Sequence, residues 1–332
     1  MKRFIQSYIG AVVLWVLGSL SMGAAISPWV YRSGKALAAM AETNTLPALL
    51  EWLGRACGKS EFDRFFDRSL LFSAVILMPL LFRRIKTLRS ASATLPDVPG
   101  TGVSWKSAVL QLVTGCVIAA GLFWVMGMVL EHAGVYVLKT KTPGFLKLLP
   151  KVLLPAIGAA FVEEWLFRGI LLGLWLRFAR PVWACLGTSL LFSFLHFLKP
   201  PEGTMIGNPA DVFAGFELLS KVLLHFTNPV FFVTDFATLI AVGLILSWAR
   251  IRTGVLWFSI GLHAGWILAF KGFSEFYKDV PTHPIHPWGV GDSLRSGMVP
   301  LLMLGITAVI CHFVLRWFPA NPNKPTDSQV LD

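Results

Sequence analysis

Runs of apolar residues, most about twenty long and separated by short polar stretches, recur from one end of this chain to the other. Roughly 20 apolar residues in a row are what an α-helix needs to cross the hydrocarbon of a bilayer. Eight runs are predicted as helical spans, at about 8–29, 65–82, 107–130, 151–177, 181–198, 229–248, 254–270 and 298–317. The second and seventh are short for that task. The expected fold class is all-α, a polytopic transmembrane helix bundle. Residues 30–64 read as a first outer loop, and Pro200–Asn228 as an outer segment long enough to cover a cavity mouth. From Pro319 the chain is polar and is expected to be disordered. The expected parts are 1–104, membrane helices and loops; 105–270, a helical core; and 271–332, an outer loop, a last span and the tail.

Composition agrees with the pattern. Hydrophobic residues make up 55% of the 332 and charged residues 14%, where a soluble domain carries roughly 25% charged. Mean hydropathy is +0.67. The net charge of +11 does not point to nucleic acid, because the basic residues sit at the ends of apolar runs. Lys2 and Arg3 precede the first span; Arg83, Arg84, Lys86 and Arg89 follow the second. Arg177 and Arg180 join the fourth to the fifth, Arg250 and Arg252 the sixth to the seventh, and Arg316 ends the eighth. The positive-inside rule places all of these on the cytoplasmic face, and with them both termini of a cell-membrane protein. Trp175, Trp183, Trp248 and Trp257 flank the arginine turns, where an aromatic belt would lie. The Arg83–Arg89 cluster is expected to contact anionic lipid headgroups. The start of the chain resembles a signal peptide, but its apolar run continues to Trp29, which favours an uncleaved first helix. Cys57, Cys116, Cys185 and Cys311 are far apart and form no CxxC, so neither a disulfide framework nor a zinc ribbon is expected. His283 and His286 read as part of a Pro-rich loop rather than a metal site, and no cofactor is called for.

Against this apolar background a few polar residues stand out. Glu163, Glu164 and Arg168 lie inside the fourth span, where each charge costs about 2.5 kcal/mol or more. Glu164 and Arg168 are four apart, on one helix face and within ion-pair reach. Glu163 lies about 100° round the helix with no such local partner. The fifth span holds Phe192 and His196, the sixth Asp235, and the seventh His263 bracketed by Gly261, Ala264 and Gly265. Small residues there would let helices approach closely. Counted at 1.5 Å per residue from the cytoplasmic arginines, Glu163, His196, His263 and Asp235 lie at roughly 21, 24, 17 and 22 Å. Four polar groups on four spans then share one layer. Such a layer is either a packing network or a site of chemistry.

The order Glu163-Glu164-x-x-x-Arg168, Phe192-x-x-x-His196 and a later His263 on a small-residue helix resembles the three motifs of the CPBP family (Abi, or type II CAAX, Rce1-like) of intramembrane glutamic endopeptidases. The resemblance spans about 105–270 and is tightest from 150. It implies that Glu163 and His196 activate a water, that Glu164 pairs with Arg168, and that His263 stabilises the oxyanion. The substrate implied is a membrane-associated protein or peptide. Four residues after His263 the family usually has Asn; here the residue is Ile267, which cannot donate a hydrogen bond. Two alternatives use the same residues: an intramembrane zinc metalloprotease built from one Glu and two His, and a non-catalytic membrane binding or immunity protein, which Ile267 favours. A transporter is less well supported, since no inverted repeat or broken-helix pair is evident.

Overall fold

The computed structural model describes residues 8–43, 46–90, 103–144, 148–177, 179–198, 200, 204–291 and 293–318. In chain order the helices are α1 (Tyr8–Thr43), α2 (Ala48–Gly58), α3 (Phe62–Ser90), α4 (Trp105–His132), α5 (Leu154–Glu164), α6 (Leu172–Trp175), α7 (Pro181–His196), α8 (Ala214–His225), α9 (Pro229–Phe231), α10 (Ala237–Thr253), α11 (Trp257–Phe276) and α12 (Met298–Val314). Strand β1 (Tyr136–Leu138) pairs antiparallel with β2 (Tyr277–Asp279). Lys2, Arg3 and the tail from residue 319 lie outside the described residues.

Among the described residues four helices are long and apolar enough to cross a membrane: Gly10–Thr43, Phe62–Thr87, Trp105–His132 and Pro229–Thr253. Pro181–His196 and Met298–Val314 are shorter apolar helices. The predicted spans at 151–177 and 254–270 are helical as well, but their charged and histidine residues lower the hydropathy that marks a span. The fold is thus that of an all-α, multi-pass membrane protein; among the described residues four helices meet the length and composition of a span, and the eight expected spans are not confirmed. Residues 30–64 are not the expected loop, because the second half of α1, all of α2 and the start of α3 fill them. The run Ala36-Leu37-Ala38-Ala39-Met40-Ala41 consists of strong helix formers with no proline, so α1 continues past the length a bilayer requires.

The chain forms two compact units. One comprises Met1–Leu95 and His196–Asn228. In it Ala24 of α1, Phe62 and Phe66 of α3, and Ala214 and Leu218 of α8 share one buried cluster. The expected outer segment therefore holds a helix, α8, packed on α1. Gly215 permits this, since a Cβ there would collide with the Ala24 carbonyl and the Ser27 hydroxyl.

The second unit comprises Pro96–Leu195 and Pro229–Asp332. Ser104 caps α4 by accepting from the Ser107 N–H at 3.3 Å. Along α4 the buried positions Ala108, Gln111, Gly115, Ala119, Phe123, Met126 and Leu130 recur every three or four residues, which is one helical face. Its other faces expose Val109, Val113, Val117, Val125 and Val129, as a lipid-facing surface should. The buried face receives α11. A Cβ on Gly115 would stand 2.6 Å from the Phe258 carbonyl, and one on Gly265 would stand 2.5 Å from that of Cys116. Gly261 is tighter still, against the Leu112 carbonyl. The two backbones are therefore in contact, as the small-residue pattern predicts. Gly261→Ala is expected to cost about 1–3 kcal/mol by overpacking, read as a lower Tm in detergent. An unchanged Tm would mean that the helices are not so close. At the far ends of the same two helices, β1 pairs with β2, Tyr136 opposite Asp279. Gly254, at φ 74°, ends α10 and donates its N–H to the Arg250 carbonyl.

The aromatic belt needs one correction. Trp183 is exposed, but Trp175 is buried, its ring lying against Gly187. It fills the α6–α7 corner instead of facing lipid.

Candidate functional site

Gly261 and Gly265 share the face of α11 that meets α4. His263, two residues from each, points to the opposite side. That side packs on α5, where Ala156 and Ala160 meet Ile260, Ala264 and Ile267 in an apolar cluster. The glycines thus set the height and rotation of α11, and so direct His263 toward the helix that carries the glutamates.

That helix is not regular. A π turn at Leu149–Leu153 leads into α5, which ends at Glu164, and a second π segment runs over Trp165–Leu171 before α6. Such π segments are rare and recur at functional sites. Here the change of pitch begins immediately after the two glutamates.

Glu164 and Arg168 form the ion pair that their spacing predicts, with Arg168 Nη1 2.7 Å from Glu164 Oε1 and side chains only 0% and 1% exposed. The same oxygen meets His263 Nδ1 at 3.0 Å. An ionised carboxylate only accepts, so Nδ1 carries the proton and donates. That fixes the histidine's orientation and leaves Nε2 for its other side. There Nε2 lies 3.7 Å from Glu163 Oε2. This gap exceeds a hydrogen bond, and Glu163 Oε2 is buried with no hydrogen-bond partner. The Glu163 side chain as a whole is 27% exposed. Two adjacent carboxylates thus differ sharply: one is neutralised and enclosed, and the other keeps a free oxygen beside an imidazole.

Phe192 sits among them. The Arg168 guanidinium lies 4.5 Å from its ring centroid, the His263 ring meets it edge-on at 6.0 Å, and Phe167 packs against it at 5.0 Å. Arg168 Nη2 also donates to the Gly243 carbonyl at 3.4 Å. No sequence signal marked that carbonyl, because every residue has one and only the fold selects which is used.

The remaining named residues are placed as follows. His196 is the last residue of α7, one turn beyond Phe192, exposed, and assigned to the first unit. Asp235 is half-buried in the π segment Phe232–Phe236 and accepts from the Thr234 hydroxyl at 2.8 Å. Among the described residues it has no ion pair or hydrogen bond to the Glu–Arg–His group. Ile267 is 9% exposed within the apolar cluster of α5 and α11. Among the described residues no three His, Cys, Asp or Glu side chains converge as a metal site, so the zinc alternative gains nothing from the arrangement.

These features define a helical membrane protein with a buried carboxylate–guanidinium–imidazole cluster beside a second carboxylate whose Oε2, among the described residues, makes no hydrogen bond. Residues 145–269 match the model of the family described as type II CAAX prenyl endopeptidase Rce1-like. The match covers less than half of the chain, but it contains Glu163, Glu164, Arg168, Phe192, His196, Asp235 and His263, and so bears out the resemblance read from the motifs. No curated protein and no solved structure matches the chain.

Proposed function

We propose that this protein is an intramembrane endopeptidase that hydrolyses a peptide bond of a membrane-associated protein or peptide, with Glu163 as general base. The observation that carries the reading is the placement of His263 between the two carboxylates, 3.0 Å from Glu164 and 3.7 Å from Glu163. Glu164, already paired with Arg168, holds the imidazole from behind. Glu163 has an oxygen with no other partner and can take a proton from water as that water attacks the scissile carbonyl. With a proton on Nε2, His263 donates to the carbonyl oxygen as it becomes negative. By resemblance His196 shares in activating the water, a role that rests on its motif. The protein resides in the cell membrane with both termini in the cytoplasm, as the distribution of basic residues indicates. The family's description makes a prenylated CAAX peptide the first substrate to try.

The test compares membrane proteomes of cells carrying the wild type and Glu163→Gln. The expected result is a shortened membrane protein present only with the wild type. Identical proteomes would remove the hydrolase reading. One observation favours a second reading, a non-catalytic binding or immunity protein: Ile267 packs in an apolar cluster where the family usually has Asn. A phenotype of the wild type that survives Glu163→Gln would support it.

A further inference from the structure

We propose that Arg250, near the end of α10, is a binding site for a phosphate group, that of an anionic phospholipid headgroup. The proposal stands apart from the hydrolase reading. Arg250 lies three residues before the end of the apolar helix Pro229–Thr253, where a span meets the headgroup region of a bilayer. Arginines in that position usually extend their charged heads into water. Arg250 does not: it is 6% exposed, whereas Arg252 and Arg316 are exposed. Among the described residues its guanidinium has no hydrogen bond, ion pair or aromatic contact, and its Nε is enclosed without an acceptor.

The neighbouring segments supply no counter-charge. Residues 170–195, 244–262 and 305–318 contain no Asp or Glu, but they hold Arg177, Arg180, Arg250, Arg252 and Arg316. The described acids of the unit are engaged or distant. Glu164 is held by Arg168, whose Nη2 reaches the Gly243 carbonyl, seven residues along α10 from Arg250 or about 10 Å. Asp235 is held by Thr234 at the start of the same helical run. Glu275 and Asp279 lie at the opposite end of α11, and Glu131 ends α4 beside β1. Three residues before Arg250, and so on its side of α10, Ser247 is fully buried and its Oγ also lacks a partner. Two polar side chains on one helix face are thus left without an acceptor.

A guanidinium stays charged wherever it is placed, and burying a charge without a partner is costly. With no acid of the chain at hand, the compensating anion comes from outside. The planar fork of arginine matches two oxygens of a phosphate. At the end of a span the phosphate present in quantity is that of the phospholipids, and basic pockets between membrane helices take anionic headgroups. Arg252, two residues on, adds positive charge at the same helix end, which favours a headgroup of net negative charge over a zwitterionic one. Inorganic phosphate offers the same group without acyl chains, so the test separates the two sources.

The test uses the full chain, delipidated in a neutral detergent, with phosphatidylglycerol, phosphatidylcholine or inorganic phosphate added. Phosphatidylglycerol is expected to raise Tm by about 3–6 °C at roughly 100-fold excess over its Kd, and to remain bound in native mass spectrometry. Arg250→Met is expected to lose the shift and the bound lipid. Without lipid it should melt no lower than the wild type, because it removes a charge that has no partner. Arg250→Lys keeps the charge but not the fork and is expected to keep less than half of the shift, which decides the matter should the methionine variant not fold. Arg252→Met, at an exposed position, is expected to keep most of it, even at about 0.5 M NaCl, where surface charges are screened. An equal shift with phosphatidylcholine, an undiminished shift in Arg250→Met, or no shift of the wild type with any additive would overturn the proposal. An equal shift with inorganic phosphate would overturn the lipid as its source and uphold the phosphate site. A lipid-free Arg250→Met that melts several degrees below the wild type would also overturn it, since the guanidinium would then pair with an acid outside the described residues, such as Asp97 or Asp327.

Discussion

Glu163→Gln should leave the protein folded and slow its peptidase turnover by about 10²–10⁴-fold, the usual contribution of a positioned general base. The substitution keeps the shape of the side chain and removes only its ability to take a proton. Little else should change, because Glu163 Oε2 makes no hydrogen bond, and its nearest basic neighbour, His263 Nε2, is 3.7 Å away. The neighbouring substitution Glu164→Gln should behave in the opposite sense. It leaves the Arg168 guanidinium, 1% exposed, without a counter-charge, and breaking such a pair typically costs 3–5 kcal/mol. The two variants differ by one position in sequence and are chemically identical changes. Thermal unfolding in detergent together with cleavage in liposomes separates them. A Glu163→Gln variant that turns over at the wild-type rate would remove Glu163 from the chemistry. A Glu164→Gln variant with wild-type Tm would show that Arg168 does not need its charge.

The parts of this arrangement that were legible in the sequence are those set by local spacing. The Glu164–Arg168 pair follows from a four-residue interval, and the α4–α11 contact follows from Gly261 and Gly265 at the same interval. The height of a residue on a span can also be counted, and the count brought His263 to the level of the glutamates. Azimuth cannot be counted in the same way. Asp235 has the right height, yet the Thr234 hydroxyl holds its carboxylate. The π segments were not legible either, since no residue in Trp165–Leu171 announces a wider turn. Nor was the helix content of the supposed outer stretches. At 11 and 12 residues, α2 and α8 are too short to cross a membrane, and a search for spans passes over them. Packing of α8 on α1 at Gly215 is long-range information that a periodic pattern does not carry.

Replacing Arg168 and Glu164 together should recover most of the stability that either loses alone, while activity stays lost. Arg168→Met leaves the Glu164 carboxylate buried, with its Oε2 already lacking a partner and its Oε1 held only by His263 Nδ1. The expected loss is about 3–5 kcal/mol, because a buried charge without its partner is costly. Glu164→Leu strands the guanidinium in the same way. In the double variant both charges are gone, and two apolar side chains of similar volume occupy a site lined by Phe167 and Phe192. Such replacements of buried pairs are often neutral or stabilising. The coupling energy in the cycle is therefore expected to be several kcal/mol and favourable to the pair of changes. Activity should not follow stability. Without Glu164 the His263 Nδ1–H loses its acceptor, and the imidazole is free to rotate away from Glu163. A double variant as stable as the wild type yet inactive would show that the ion pair is kept for the orientation of His263. A double variant as unstable as the two single losses added together would mean that the two charges act independently, contrary to the 2.7 Å contact between them.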